Sequence, residues 1–314
     1  MKILIIGGGG LIGSGLENLL FDEGNETVVL DTFTGSSLSL AGIKGTVITG
    51  NATSFSTMNR VFSSFSPEVV FNFVDASADK EGYYNFQQEA EVYINTSMNL
   101  ARCIELYGCV KHVFLGSSCD VYKGGSKRKL KESSPTDVLS YTGISKKYVE
   151  DMFLLLSDSM GFSFTAIRFF QVFGNRFFIN PKYDVISVYL DSLIRGYQLA
   201  IAGPKTFVDA LNITDAVSAS YIIYMSVVSG SDIKYINVGS GEPISLIDLY
   251  KRLVKEFEVS VKPTLISAGK HTRSLVADVS LLKSLGWDRL NSLDETIHNL
   301  INFRMRTIND RPKF

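Results

Sequence analysis

The stretch Ile3-Leu4-Ile5-Ile6-Gly7-Gly8-Gly9-Gly10-Leu11-Ile12-Gly13-Ser14-Gly15-Leu16 constrains the fold more than any other. An unbroken apolar run reads as a strand covered on both faces, because a strand with one wet face alternates. Glycines follow at once, and then Leu11, Ile12, Leu16, Leu19 and Leu20 recur at helical spacing. The expected unit is strand, glycine turn, helix. Gly7, Gly10 and Gly13 keep a three-residue spacing. Their missing side chains let the chain turn sharply, let a pyrophosphate approach the helix N-terminus, and let the helix settle on its strand. A second apolar run, Val28-Val29-Leu30, ends in Asp31. A carboxylate there suits a ribose 2′-hydroxyl and repels a 2′-phosphate, so the dinucleotide expected is NAD rather than NADP.

The 314 residues are enough for a large core and one or two domains. With 45% hydrophobic and 20% charged residues, the composition is that of an ordinary globular protein. The formal net charge is −1 and no basic stripe is present, which argues against a nucleic-acid partner. The basic patch at 123–131 lies among glycines and serines and reads as a solvated loop. Cys103, Cys109 and Cys119 show neither metal spacing nor an even disulfide framework, which suits a reducing cytoplasm. The first apolar run is too short, and too soon broken by glycine, for a signal peptide, and nothing approaches the ~18 apolar residues of a membrane span.

Strands and helices alternate through the first half. Strands are expected at 46–49, 69–74, 111–116 and 164–168. Helices are expected from a Ser54 cap to about 64, over 86–107, and over 141–160 with Gly161 past the end. This alternation implies a Rossmann-type doubly wound parallel α/β sheet with ligands beyond the carboxyl ends of its strands. Residues 1–172 form the expected cofactor domain, with return segments near 209–240. Residues 173–314 form most of a smaller C-terminal α/β substrate lobe, containing a loop at 175–183, helices at 185–197, 213–226, 247–257 and 294–306, and a strand at 235–238.

Ser118 lies just beyond a buried strand and Lys146 on the next helix. Together they could hold a sugar hydroxyl beside a nicotinamide and lower the pKa of a tyrosine base. Singly, such a serine is more often a turn residue and such a lysine a solvated one.

In combination the motifs resemble the extended short-chain dehydrogenase/reductase family, in particular its NAD-dependent nucleotide-sugar epimerases and dehydratases. The resemblance covers nearly the whole chain. It rests on the glycine turn with Asp31, Gly116-Ser117-Ser118-Cys119-Asp120-Val121-Tyr122, Ser145-Lys146 with Glu150, and Arg168-Phe169-Phe170-Gln171-Val172-Phe173-Gly174. Thr214-Asp215, Asn237-Val238-Gly239-Ser240-Gly241 and the run from Arg273 through Asp278 to Trp287 extend it. The resemblance implies transient oxidation of the sugar at C4 by bound NAD, then epimerisation or dehydration of a nucleoside-diphosphate hexose. It assigns NAD to Gly7, Gly10, Leu11, Ile12, Gly13, Asp31, Asn51, Ala52, Val74, Asn95 and Lys146. It assigns the substrate to Gln171 and Arg273, and catalysis to Ser118 and Lys146 with a tyrosine four residues before the lysine.

The tyrosine departs from that pattern. Thr142 stands four residues before Lys146, and Tyr141 five. Positions four apart on a helix lie about 40° apart around the axis, and positions five apart about 140°. Either Tyr141 swings in from the start of the helix, or Thr142 fills the place and the usual base is missing. Sugar dehydratases of the family carry an acid and a base where Cys119 and Asp120 stand, so these two enter as candidate proton donor and base, and Asp120 with the displaced Tyr141 tilts the reading towards elimination. Asn51, Gln171 and Val208-Asp209 also depart from the family's usual residues. Glu132 reads as solvated, His271 as a loop histidine and Asp278 as structural. The competing readings are a catalytically impaired NAD- or nucleotide-sugar-binding protein, and an NADH-dependent keto-sugar reductase. Family members commonly dimerise through two helices, here 86–107 and 141–160, with Met98, Ile104, Met152 and Leu155 outward.

Overall fold

The computed structural model describes residues 1–34, 42–75, 86–124, 129–174, 185–257, 262–269 and 272–309. The 175–183 loop and His271 lie outside them. In chain order the elements are β1 (Lys2–Ile6), α1 (Leu11–Asp22), β2 (Glu26–Asp31), β3 (Thr46–Thr49), α2 (Phe55–Phe65), β4 (Val69–Asn72), α3 (Phe86–Tyr107), β5 (His112–Ser118), α4 (Tyr141–Met160), β6 (Ser163–Phe169) and β7 (Gln171–Phe173). There follow α5 (Val185–Ile194), β8 (Ala200–Ala202), β9 (Phe207–Asn212), α6 (Ile213–Val228), β10 (Tyr235–Val238), β11 (Pro243–Ser245), α7 (Leu246–Glu256), β12 (Thr264–Ile266), α8 (Ser280–Ser284) and α9 (Leu293–Asn309).

Seven strands form one sheet in the order β10-β6-β5-β4-β1-β2-β3, and every pairing in it is parallel. The order reverses between β1 and β4, which opens the crevice where such sheets bind ligands. Both faces of the sheet are covered, as the apolar strands require. Leu4 and Ile6 join α2, α3 and α4 residues in one core, while Ile3 and Ile5 join α1 and α6 residues in the other.

β4 stops at Asn72, two residues short of the apolar run. There the glycine turn crosses it: a Cβ on Gly7 would lie 2.7 Å from the Phe73 carbonyl and the Val74 nitrogen. Ser54 is the N-cap of α2 but makes no capping bond through its side chain. α6 and β10, from the second half of the chain, return to the large sheet. The strands not expected from sequence, β7, β8, β9, β11 and β12, have three to six residues each. Such lengths carry too little periodicity to separate from loop. Of the four residues expected to face outward, Met98 and Leu155 are exposed. Ile104 is instead buried against the sheet, and Met152 packs on the same core.

A buried histidine gives this core a pH dependence. His112 Nε2 lies 3.0 Å from Thr165 Oγ1, whose own proton goes to the Ile233 carbonyl, so Nε2 carries the hydrogen. Burial pulls the imidazole from 6.5 down to about 4. The unfolded ring takes up a proton below 6.5, and the folded ring refuses it until about 4. The stability it contributes is therefore whole above 6.5 and lost as pH falls to about 4. Urea midpoints should fall further for the native protein than for His112→Gln between neutral pH and about pH 4. Equal falls would remove His112 as the source.

Candidate active site

At the end of β1 the chain turns through Gly7 at φ +77°, a conformation that favours glycine. A Cβ on Gly13 would lie 2.8 Å from the Gly7 carbonyl, so α1 presses against the turn with bare backbone. Gly10 is the N-cap of α1 and offers no side-chain oxygen, so the first-turn N–H groups, Leu11 to Gly13, have none from their cap. Positive partial charge collects at this end of a twelve-residue helix. Asp31 ends β2 beside it. One carboxylate oxygen accepts the Gly9 N–H and the other the Phe33 N–H, both at 2.8 Å. The half-buried carboxylate is thereby aimed, and each oxygen keeps a further lone pair. Ala52 is buried, and exposed Asn51 accepts the Thr53 N–H across a short turn. Val74 lies partly buried where the chain leaves β4. Asn95 is not brought to this crevice: it falls on the exposed stripe of α3 with Glu91, Met98 and Arg102, at three- and four-residue steps that turn away from the sheet.

The second half of the site lies beyond β5. Ser118 ends that strand, and its Oγ accepts the Asp120 N–H at 3.1 Å. Lys146 is buried in α4. Its ammonium sits 3.7 Å from the centre of the Tyr93 ring and 3.7 Å from Asp75 Oδ1. Burial lowers its pKa, and Asp75 and Glu89 pull the other way. Thr142 is partly buried one turn before it, whereas Tyr141, the first residue of the helix, is 61% exposed. Ser140 caps the helix by accepting the Gly143 N–H at 3.1 Å. A Cβ on Gly143 would lie 2.3 Å from the Asp120 carbonyl, which holds the start of α4 tight against the Ser118–Asp120 segment.

A cleft of about 300 Å³ opens here, walled by Cys119, Asp120, Ser140, Gln171, Val208 and Arg273, among others. Arg273 is nearly buried. It donates to the Tyr122 and Asp120 carbonyls at 2.9 and 3.2 Å and to Asp120 Oδ1 at 2.7 Å. The Asp120 carboxylate is thus committed to a cation. Burial pushes the Cys119 thiol far above its usual range, so it holds its proton tightly and is a poor donor.

Behind the cleft a polar network ties the motifs together. Arg168 binds both oxygens of buried Glu150, at 3.0 and 2.7 Å. Glu150 also accepts the Ser117 hydroxyl at 2.6 Å. Arg168 reaches the Tyr122 hydroxyl, which donates to Asn237. Glu132, expected to be solvated, accepts the Asn237 N–H at 3.0 Å instead. Asp209, fully buried, accepts N–H bonds from Ser240, Gly241 and Ala277 and the Ser240 hydroxyl. Thr214-Asp215 anchors the segment before α9 through Leu290 and Asn291. Much of the motif set therefore holds the walls of the cleft rather than touching a ligand. These motifs are visible in the sequence but their partners are not, since most of those partners lie far along the chain.

A model of the NAD dependent epimerase/dehydratase family matches residues 3–239, from β1 through β10. The chain belongs to that family. Members similar to it include a putative UDP-glucose 4-epimerase of Methanocaldococcus jannaschii, 22% identical over 64% of this chain and 66% of the relative. The UDP-glucose 4-epimerase of Lactobacillus helveticus is 26% identical over 55% of this chain and 52% of its own length. The chain thus spans about half to two thirds of the length of these curated relatives. Among solved structures, UDP-glucose 4-epimerase of Thermotoga maritima with UDP-glucose superposes with a TM-score of 0.85 at 23% identity, covering 98% of this chain and all of that one. The Bordetella bronchiseptica enzyme WbmG, in complex with NAD and UDP, gives 0.79 at 26% identity over 98% and 94%.

NAD is the cofactor of this family, and the residues present fit it. The glycine turn is a cradle that side chains would fill, at the positive end of α1, with the Asp31 carboxylate alongside. Among the described residues no helix is long and apolar enough to cross a membrane.

Proposed function

We propose that this protein is an NAD-dependent nucleotide-sugar epimerase acting on a uridine-diphosphate hexose by transient oxidation at C4. One observation carries the reading: the glycine cradle with Asp31 and the Ser118–Lys146 pair open onto the same end of the sheet, beside a cleft walled by Gln171 and Arg273. When bound, NAD supplies the hydride acceptor. The chain's own residues do the rest. Gly7, Gly10, Leu11, Ile12 and Gly13 take the pyrophosphate; Asp31 takes the adenosine ribose; Asn51, Ala52 and Val74 border the adenine side; Lys146 holds the nicotinamide end. Ser118 positions the sugar hydroxyl, and Gln171 and Arg273 hold the substrate. Residues 1–172, with the return near 209–240, carry the cofactor, and 173–314 close over the sugar.

Elimination loses ground to epimerisation on chemical grounds. Asp120 is engaged by Arg273, and the Cys119 thiol is a weaker acid than usual. The curated relatives named above are 4-epimerases, in one case putatively. One observation favours the binding-protein reading: Tyr141, five residues before Lys146 at the start of α4, is 61% exposed. Incubation with NAD and a panel of UDP-, dTDP-, GDP- and CDP-hexoses separates these. An isomer of unchanged mass, with a stereocentre inverted by NMR, is expected from a UDP-hexose. Loss of one water would mean a dehydratase, net cofactor oxidation a reductase, and no product with tight NAD binding a non-catalytic protein.

The reading places the protein in the cytoplasm as a homodimer joined through α3 and α4. Exposed Met98, Leu106, Ile144, Tyr148 and Leu155 on those helices support the interface. A monomer mass by light scattering at micromolar concentration would overturn it.

A further inference from the structure

Two helix faces meet beside the lysine. On α3, Glu89 and Tyr93 lie four residues apart; on α4, Thr142 and Lys146 do the same. Each pair therefore shares a face. The Lys146 ammonium covers the Tyr93 ring at 3.7 Å. One turn towards both N-termini, the packing of α3 on α4 sets the face carrying Glu89 against the face carrying Thr142.

Glu89 is a costly residue to place here. It is 2% exposed, and among the described residues neither carboxyl oxygen completes a hydrogen bond of normal geometry. An orphaned carboxyl at that depth is costly to ionise. Burial raises its pKa, and Asp75 and Asp120 push the same way. The Thr142 hydroxyl and Lys146 act against them. A carboxyl so raised is better matched to proton exchange near neutral pH than an ordinary glutamate. Thr142 meanwhile occupies the position one turn before the lysine. Its hydroxyl is far too weak an acid to exchange a proton unaided.

We propose that Thr142 and Glu89 together replace the missing tyrosine base, Thr142 meeting the sugar hydroxyl and Glu89 receiving the proton behind it. The sugar O–H proton passes to Thr142 Oγ1 as the threonine's own proton passes to a Glu89 carboxylate oxygen. The sugar carbon becomes a carbonyl, its hydride going to the oxidised nicotinamide of the bound cofactor. Reduction of the ketone from its other face reverses each transfer and restores Thr–OH and the carboxylate. Lys146 steadies the negative charge that crosses the relay. The inference rests on the epimerase reading above.

The test uses the full chain with NAD and the sugar that the native protein converts. Glu89→Gln keeps the shape and removes the base, and should lower kcat about 10²–10⁴-fold, the range for losing a general base. Thr142→Ala should do the same, and Thr142→Ser should restore most of the rate. The double variant should be no slower than the worse single one, because the two act as a unit. Glu89→Asp should retain partial turnover with a displaced pH profile. A readout without turnover accompanies these. Infrared difference spectra of the NAD-loaded protein across pH should show a carboxyl titrating above the usual glutamate range, absent in Glu89→Gln. Should Glu89→Gln fold poorly, the Thr142 pair and this titration decide. Turnover in Glu89→Gln within threefold of native, with an unchanged pH profile, overturns the relay and leaves the epimerase reading standing. A native protein that converts no nucleotide sugar overturns both.

Discussion

Replacing Lys146 with methionine is expected to lower turnover by about 10²–10⁴-fold, or about 3–5 kcal/mol of transition-state stabilisation, with the fold left intact. Methionine matches the length of the buried stem and keeps its packing against Tyr93. What goes is the cation, which in the proposed reading holds the nicotinamide end and offsets charge moving onto Thr142 and Glu89. The fold should tolerate the loss because buried Glu89, a carboxyl whose charge Lys146 offsets, can answer it by keeping its proton. The other carboxylate beside Lys146, Asp75, is 63% exposed and keeps its water. The contact over the Tyr93 ring amounts to about 0.5–2 kcal/mol, and the desolvation of the ammonium is relieved at the same time. Steady-state kinetics, NAD affinity and a urea midpoint on one preparation check this. Activity within tenfold of native would take Lys146 out of the chemistry, and unfolding would make it structural.

The largest stability loss is expected from Arg168→Met, about 3–5 kcal/mol. Arg168 neutralises Glu150, which has no exposure of its own. Without the guanidinium, Glu150 keeps only the Ser117 hydroxyl, and its charge remains in the core. The Tyr122 hydroxyl and the Glu132 carbonyl lose a donor as well. The Arg168→Met, Glu150→Met double variant removes the stranded charge and should recover much of the loss, because an apolar pair of similar volume often serves as well as a buried ion pair. Urea denaturation of both variants measures the difference. A single-variant loss below about 1 kcal/mol would show that water reaches Glu150 and that the pair is not truly buried.

That network also marks where sequence reading stops. Ser117, Glu150, Arg168 and Asn237 were legible as motif residues, but a spacing along the chain does not say which of them face a ligand and which face one another. Asp120 and Arg273, 153 positions apart, were each read as acting on substrate; the fold pairs them at 2.7 Å. Asn95 was legible by its place in the resemblance, yet the helix turns it outward. Glu89 had no motif at all. Its burial comes from α3 lying against α4, and its bearing on Thr142 from two i,i+4 steps that happen to coincide.

The sequence by itself determined the parallel sheet and the dinucleotide cradle. Apolar runs, glycine spacing and helical periodicity are local signals, and local backbone sterics act on them directly. Counting likewise puts Thr142 four residues before Lys146 and Tyr141 five, and leaves open which of them meets the substrate. Only the tertiary structure decided which elements of the expected return near 209–240 join the large sheet: α6 covers one face and β10 pairs with β6 at its edge. Only it paired Asp120 with Arg273 and buried the Glu89 carboxyl one turn from Lys146. Those outcomes depend on burial and on contacts between residues far apart in sequence, and desolvation acts on a side chain only once the fold has taken the water away.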